Sequence, residues 1–235
     1  MKLYYKGEEI TVGSGGNSSL KGKRICALGD SNTQYMGNTL AERVIEYTEA
    51  KSLSNRGFAG ATWGVADGNV QTTSSASAVG SVNAMINPFI EAGKATEYDI
   101  ITLMYGTNSD VSLGDKDSTD ISTTWGAMKY CFDKLLYYYR DATIAVFLPI
   151  QRAGGVMTNT INAIRECCEL YSIPYYDMSG QGQIPSDTKM PISIAEQGLP
   201  DNGYGQIYFG DNVHLSHVGQ EQYFHKYARF LENIV

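Results

Sequence analysis

Basic residues are the minority charge in this sequence. Against 25 Asp and Glu there are 18 Lys and Arg, a formal net charge of −7, and no Lys/Arg cluster occurs. The electrostatic footprint of a nucleic-acid binder is missing, so nucleic acid is not an expected partner. Long apolar runs are lacking as well. No stretch reaches the roughly 18 uninterrupted apolar residues of a membrane span, and the N-terminal MKLYYKGEEI has no apolar signal-peptide core. The chain is expected to be soluble and not to have a membrane as partner; its compartment stays open. Cysteine is sparse: Cys26, Cys131, Cys167 and Cys168 lie in apolar periodic segments, and the last two are adjacent, which is poor geometry for a mutual disulfide. They read as buried thiols. No C-x-x-C pair, no D-x-D after Asp30 and no carboxylate cluster is present, so neither a metal nor another cofactor is expected.

What is present suits an ordinary globular core. A chain of 235 residues can form one large domain, or one domain with a small appendage. Residues 1–22 read as that appendage: a strand pair turning at Lys6-Gly7, then GSGGNSS (Gly13 to Ser19), the composition of a flexible linker that could join a further domain. Residues 23–235 read as the main domain. Strand-like runs occur at 25–28, 99–104, 143–148 and 174–177, with a weaker one at 52–55, and helical patterns alternate with them. The stronger strand runs are continuously apolar, which predicts a parallel sheet covered on both faces: a doubly wound α/β fold of about five strands. There is no internal repeat.

Two stretches interrupt the alternation, 61–77 (polar and small) and 179–210 (rich in Gly and Pro). In an open parallel sheet the ligand crevice lies beyond the carboxyl ends of the strands, so loops there are natural substrate walls. Their aromatics, Trp63, Tyr204, Tyr208 and Phe209, are the expected substrate-binding residues.

Polar residues collect at the strand ends. Gly29-Asp30-Ser31 follows the first main-domain strand, Asn55 to Gly60 the second, Gly106-Thr107-Asn108 the third, and Asp211 to His214 precedes the last helix. Taken singly, each has a plain structural reading: serine after a strand caps helices more often than it attacks carbonyls, and glycine often only supplies a positive φ. Taken together at one sheet edge, they make a chemically complete set. Acyl transfer needs a hydroxyl, a base, a carboxylate that orients the base, and donors aimed at the developing oxyanion. Ser31, His214 and Asp211 supply the first three; the backbone N–H groups of Ser31 and Gly60 and the side chain of Asn108 supply the oxyanion hole. The sequence has three histidines. His217 lacks a carboxylate at the matching spacing and His225 lies deep in a helical pattern, so His214 is the expected base. Asp30 is expected to brace the turn.

Those blocks, GDSN, NRGFAG, YGTNS and DNVHLSHVG, resemble in order the four blocks of the SGNH, or GDSL-type, hydrolases. The resemblance spans Gly29 to Gly219. It implies a flavodoxin-like three-layer fold, with Ser31 as nucleophile, Gly60 and Asn108 as oxyanion donors, His214 as base and Asp211 as its orienting acid. Two departures stand out. Family members often have Asp directly after the third-block Asn, where this chain has Ser109 and then Asp110; and Asn32 replaces the usual Leu or Ile, which is expected to make the local surface more polar. Thr33 stands where a G-x-S-x-G motif would have its second glycine, which argues against an α/β-hydrolase elbow. The resulting expectation is a serine esterase needing no cofactor and acting on a small-molecule or glycan ester, with carbohydrate deacetylation the leading substrate reading because the candidate loops are polar and aromatic. The alternatives are a lipase or thioesterase, and a catalytically idle glycan-binding module on a larger assembly. Oligomeric state is not legible.

Overall fold

The computed structural model describes residues 3–5, 8–10, 18–93, 97–108, 110–150, 157–179, 209, 211 and 213–235. Near the N-terminus β1 (Leu3–Tyr5) and β2 (Glu8–Ile10) pair antiparallel as a two-stranded sheet of their own. Most of the Gly/Ser stretch after them, residues 11–17, lies outside the described residues.

The main sheet contains β3 (Arg24–Gly29), β4 (Ser52–Gly57), β5 (Ile100–Met104), β6 (Thr143–Leu148) and β7 (Tyr175–Asp177), all parallel, in the spatial order β4-β3-β5-β6-β7. Counted along the chain within this sheet the order is 2-1-3-4-5, the flavodoxin-like doubly wound arrangement. Its switch point lies between β3 and β5, because the chain leaves β3 for one side and returns to the other. Thus the ends of those two strands, where Ser31 and Asn108 follow, flank the crevice.

The three central strands β3, β5 and β6 read as continuous apolar runs because both faces are covered, whereas the edge strand β4 (SLSNRG) is largely polar and partly exposed. On β3, Cys26 and Leu28 enter a core with α3 (Ala78–Ala92), α4 (Thr124–Tyr138) and α5 (Thr158–Leu170), while Ile25 and Ala27 enter a second core with α2 (Gly37–Thr48) and α6 (His217–Ile234). All four cysteines are free and buried, and burial pushes the Cys26 thiol up to about 12. Among the described residues, no helix is long and apolar enough to cross a membrane.

Side-chain caps start three of these helices. Ser77 accepts the Gly80 N–H, Thr123 that of Gly126 and Ser216 that of Gly219, at 3.0, 3.2 and 3.2 Å; each such cap is worth about 1 kcal/mol. At α3 and α4 the glycine itself is required, since a Cβ on Gly80 would lie 1.9 Å from the Ser74 carbonyl and one on Gly126 2.1 Å from that of Asp120. The loops before both helices therefore fold back onto the first turn.

One helix was not expected. Ser31–Tyr35 forms a short helix, α1, that begins as soon as β3 ends. The last helix also starts earlier than its apolar pattern indicates, with exposed His217 as its first residue.

Candidate active site

The end of β3 supplies the first group. Asp30 occupies the cap position of α1: its Oδ1 accepts the Asn32 N–H at 3.0 Å and its Oδ2 the Thr107 N–H at 3.4 Å. The carboxyl is fully buried, and burial pushes its pKa up against the lowering effect of its hydrogen bonds to Thr107 and Asn32. Capping is thus done by Asp30, which leaves the Ser31 hydroxyl for another partner. That partner is His214, whose Nε2 stands 3.0 Å from Ser31 Oγ across 183 residues of sequence.

Asp211 Oδ2 lies 2.7 Å from His214 Nδ1. Its Oδ1 accepts the backbone N–H groups of Val213 and His214 at 2.7 and 2.6 Å, so one carboxylate holds both the ring and the turn beneath it. Burial raises the Asp211 carboxyl, but the hydrogen bonds from His214 and Val213 outweigh it and leave the pKa below the ordinary value. An ionised carboxylate on Nδ1 favours the tautomer with the proton there, so Nε2 can accept from Ser31. The segment is anchored from both sides: Phe209 bridges to Leu215, and α6 is tied to β5 by a 2.8 Å hydrogen bond between Tyr227 and Thr102. Phe224 and Leu231 are fully buried on the same helix, each worth about 1.5–3 kcal/mol.

Gly60 belongs to a turn that follows β4. Ala61 N–H donates to the Phe58 carbonyl at 3.1 Å, and Gly60, the third residue, has φ +79°. A positive φ there is the type II signature, and it sets the direction of the central amide, whose N–H belongs to Gly60. The turn is fastened to its neighbours at several points. Phe58 N–H donates to the Gly29 carbonyl, Gln34 accepts the Ala59 N–H through its side-chain oxygen, and Asn108 Nδ2 donates to the Ala61 carbonyl at 2.9 Å. The second N–H of the Asn108 amide has no partner among the described residues. Ser31, as the first residue of α1, has no intrahelical acceptor for its own N–H.

Asp110 carries the neighbouring loop. Its Oδ1 accepts the Gly64 N–H and its Oδ2 the Thr124 hydroxyl, both at 2.7 Å, and burial pushes its pKa up. Although it stands two places after Asn108 rather than one, it ties the chain following the Gly60 turn to the start of α4.

The structure therefore joins all four sequence blocks through hydrogen bonds, but it does not bear out every residue read as a neighbour of the substrate. Trp63 is fully buried, its ring packed against Tyr105 and Phe132 at 5.3 and 6.0 Å between centroids. The polar residues around it made it look like a loop aromatic; the loop instead folds its one large apolar side chain inward. Phe209 is likewise only 1 % exposed and packs in the core beside α6, so it supports the His214 segment rather than a ligand. Tyr204 and Tyr208 lie outside the described residues. Asn32 is 3 % exposed and adds nothing polar to the surface.

Two residues at the site escaped the sequence reading. Tyr35 places its ring against that of His214, with centroids 4.7 Å apart and planes at 78°, and Gln34 holds the Gly60 turn. Reading SNTQY as a helix would have revealed Tyr35, since residues four apart share a helix face. Among the described residues no group of three or more His, Cys, Asp or Glu could hold a metal ion.

Comparison of the sequence with models of known families and with curated proteins gives no match. Comparison of the structure gives several. A protein from Chitinophaga pinensis assigned as a lipase superposes with a TM-score of 0.58 at 16% identity, over 90% of this chain and 97% of that one. A protein from Bacteroides ovatus assigned as a GDSL-like lipase gives 0.53 at 20%, over 90% and 98%. The fold is that of the SGNH, or GDSL-type, hydrolases. A catalytic mutant of an acetylxylan esterase from Geobacillus stearothermophilus superposes as well, with a TM-score of 0.52 at 13% identity over 91% of this chain and 96% of that one.

Proposed function

We propose that this chain is a serine esterase that works through an acyl-enzyme. The observation that carries the reading is the chain of hydrogen bonds from Ser31 Oγ to His214 Nε2 (3.0 Å) and from His214 Nδ1 to Asp211 Oδ2 (2.7 Å). Ser31 Oγ attacks the acyl carbon as its proton passes to Nε2. The carbonyl oxygen becomes an oxyanion and accepts hydrogen bonds from the Ser31 and Gly60 N–H groups and from Asn108 Nδ2. Collapse of the tetrahedral intermediate breaks the bond to the alcohol, which takes the proton from Nε2. Water, deprotonated by the same nitrogen, then attacks the acyl-enzyme; the bond to Ser31 Oγ breaks, Oγ takes the proton back from Nε2, and the acid is released. Asp211 holds the imidazole and stabilises the imidazolium without itself taking the proton.

For the substrate we propose an acetylated carbohydrate. Support comes from the polar composition of residues 61–77, which directly follow the Gly60 turn, and from the presence of an acetylxylan esterase among proteins of the same fold. Proteins assigned as lipases share the fold too, so acyl length is the discriminating variable. The test is a series of 4-nitrophenyl esters from acetate to octanoate, followed by acetate release from acetylated glycans. Acetate should be the best acyl group. Ser31→Ala should abolish turnover with the thermal transition retained, and a fluorophosphonate should label Ser31 alone. Undiminished hydrolysis by the Ser31→Ala protein would refute the esterase mechanism; an octanoate preference of tenfold or more in kcat/KM would replace the carbohydrate reading with the lipase or thioesterase one.

A further inference from the structure

Tyr35 is left unused by the roles given above, and its environment is unusual for an aromatic residue. It is 56 % exposed, so packing does not account for it, yet its ring meets the imidazole of His214 nearly edge to face. It stands one helical turn after Ser31 on α1, hence on the same helix face as the nucleophile. Hydroxyl, imidazole and phenol ring thus follow one another, with the phenol ring outermost.

The proton path determines which part of an ester lies there. When the tetrahedral intermediate collapses, the departing oxygen must be within about 2.6–3.2 Å of His214 Nε2 to receive its proton. The alcohol half of the ester is therefore held beside the imidazole, and the acyl half extends away from it. We propose that Tyr35 is the wall of the leaving-group subsite and takes the apolar C–H face of a pyranose ring against its own exposed ring. The inference rests on the esterase reading and adds the class of alcohol: cyclic, with a flat apolar face. It also predicts a kinetic asymmetry. Once the alcohol has left and water has entered, Tyr35 has nothing to hold.

The experiment compares wild type, Tyr35→Phe and Tyr35→Ala on three acetates that share one acyl-enzyme: ethyl acetate, 4-nitrophenyl acetate and an acetylated methyl xyloside. Tyr35→Ala should cut the kcat/KM preference for the xyloside over ethyl acetate by about fivefold to tenfold, the scale of one aromatic contact. Acylation should slow more than deacylation in single-turnover measurements, and Tyr35→Phe, which keeps the ring, should recover most of the preference. Equal losses on all three acetates, with deacylation slowed in step, would mean that Tyr35 only positions His214 and would overturn the subsite. So would an unchanged preference, a loss seen with the aryl ester but not the xyloside, or a Phe variant as poor as the Ala one. Calorimetric titration of the acetylated xyloside into Ser31→Ala, with and without Tyr35→Ala, provides a readout free of turnover. Weaker binding on loss of Tyr35 supports the subsite whatever the wild-type activity, whereas an inert wild type alone sinks the esterase reading.

Discussion

Asp30 caps the helix at whose first turn Ser31 stands: the Asp30 carboxylate takes the Asn32 N–H at 3.0 Å, and the Ser31 hydroxyl faces His214 Nε2 at 3.0 Å. Two adjacent residues, either of which could cap, have divided the work. The cost falls on Asp30, whose carboxyl is buried and whose pKa is raised by that burial.

This cost has a definite sign. A carboxyl whose folded pKa exceeds its unfolded value of about 3.9 contributes stability below that value and loses it as pH rises through the folded pKa. Asp30→Asn removes the titration, so its stability relative to wild type should be more favourable at pH 7 than at pH 4. Urea unfolding of both proteins at the two pH values measures this. A difference moving in wild type's favour with rising pH would show that the ionised Asp30 is stabilised by the fold.

A side chain at Gly60 acts first on the backbone. No atom lies within 4 Å of where a Cβ would stand, but φ is +79°. Gly60→Ala therefore carries about 1–2 kcal/mol of left-handed strain, relieved by turning over the central amide and withdrawing its N–H. kcat should fall by up to about two to three orders of magnitude, the range for one lost oxyanion donor, with KM nearly unchanged. A rise in KM with kcat unchanged would instead mean that the added side chain crowds the bound acyl group.

Gln34 should act on the same turn from outside. Gln34→Leu removes the acceptor of the Ala59 N–H and should lower kcat about tenfold, less than the ~100-fold that a 1 Å misplacement can cost. Gln34→Glu keeps an acceptor oxygen and should retain most of the rate. If both variants behave alike in steady-state kinetics, the hydrogen bond to Ala59 does not position Gly60.

Asn108 and Asp211 separate two kinds of support. Asn108→Ala should lose about two to three orders of magnitude in kcat with little change in KM, as expected for a donor used chiefly in the transition state. Asp211→Asn should lower kcat without abolishing it, His214→Ala should be at least as damaging, and His217→Ala should be mild because His217 is exposed at the start of α6. A dead His217 variant beside an active His214 variant would reverse the assignment of the base.

The sequence alone carried the strand and helix alternation, most plainly at the central strands β3, β5 and β6, because parallel strands buried on both faces are continuously apolar and the helices between them amphipathic. It also named the groups able to do acyl transfer, since a hydroxyl, an imidazole, a carboxylate and an amide are properties of residue type and order. What it could not hold was which apolar or aromatic side chain turns inward. Trp63 sits in a polar stretch and is fully buried, while Tyr35 follows a polar stretch and is 56 % exposed. That choice is made by the neighbours each ring meets after folding, Tyr105 and Phe132 for one and His214 for the other. Nor could local pattern bring Ser31 to His214. Their approach depends on α6 seating Phe224, Tyr227 and Leu231 in the core beside β5, a contact between segments far apart in the chain, and only the packed tertiary structure decides it.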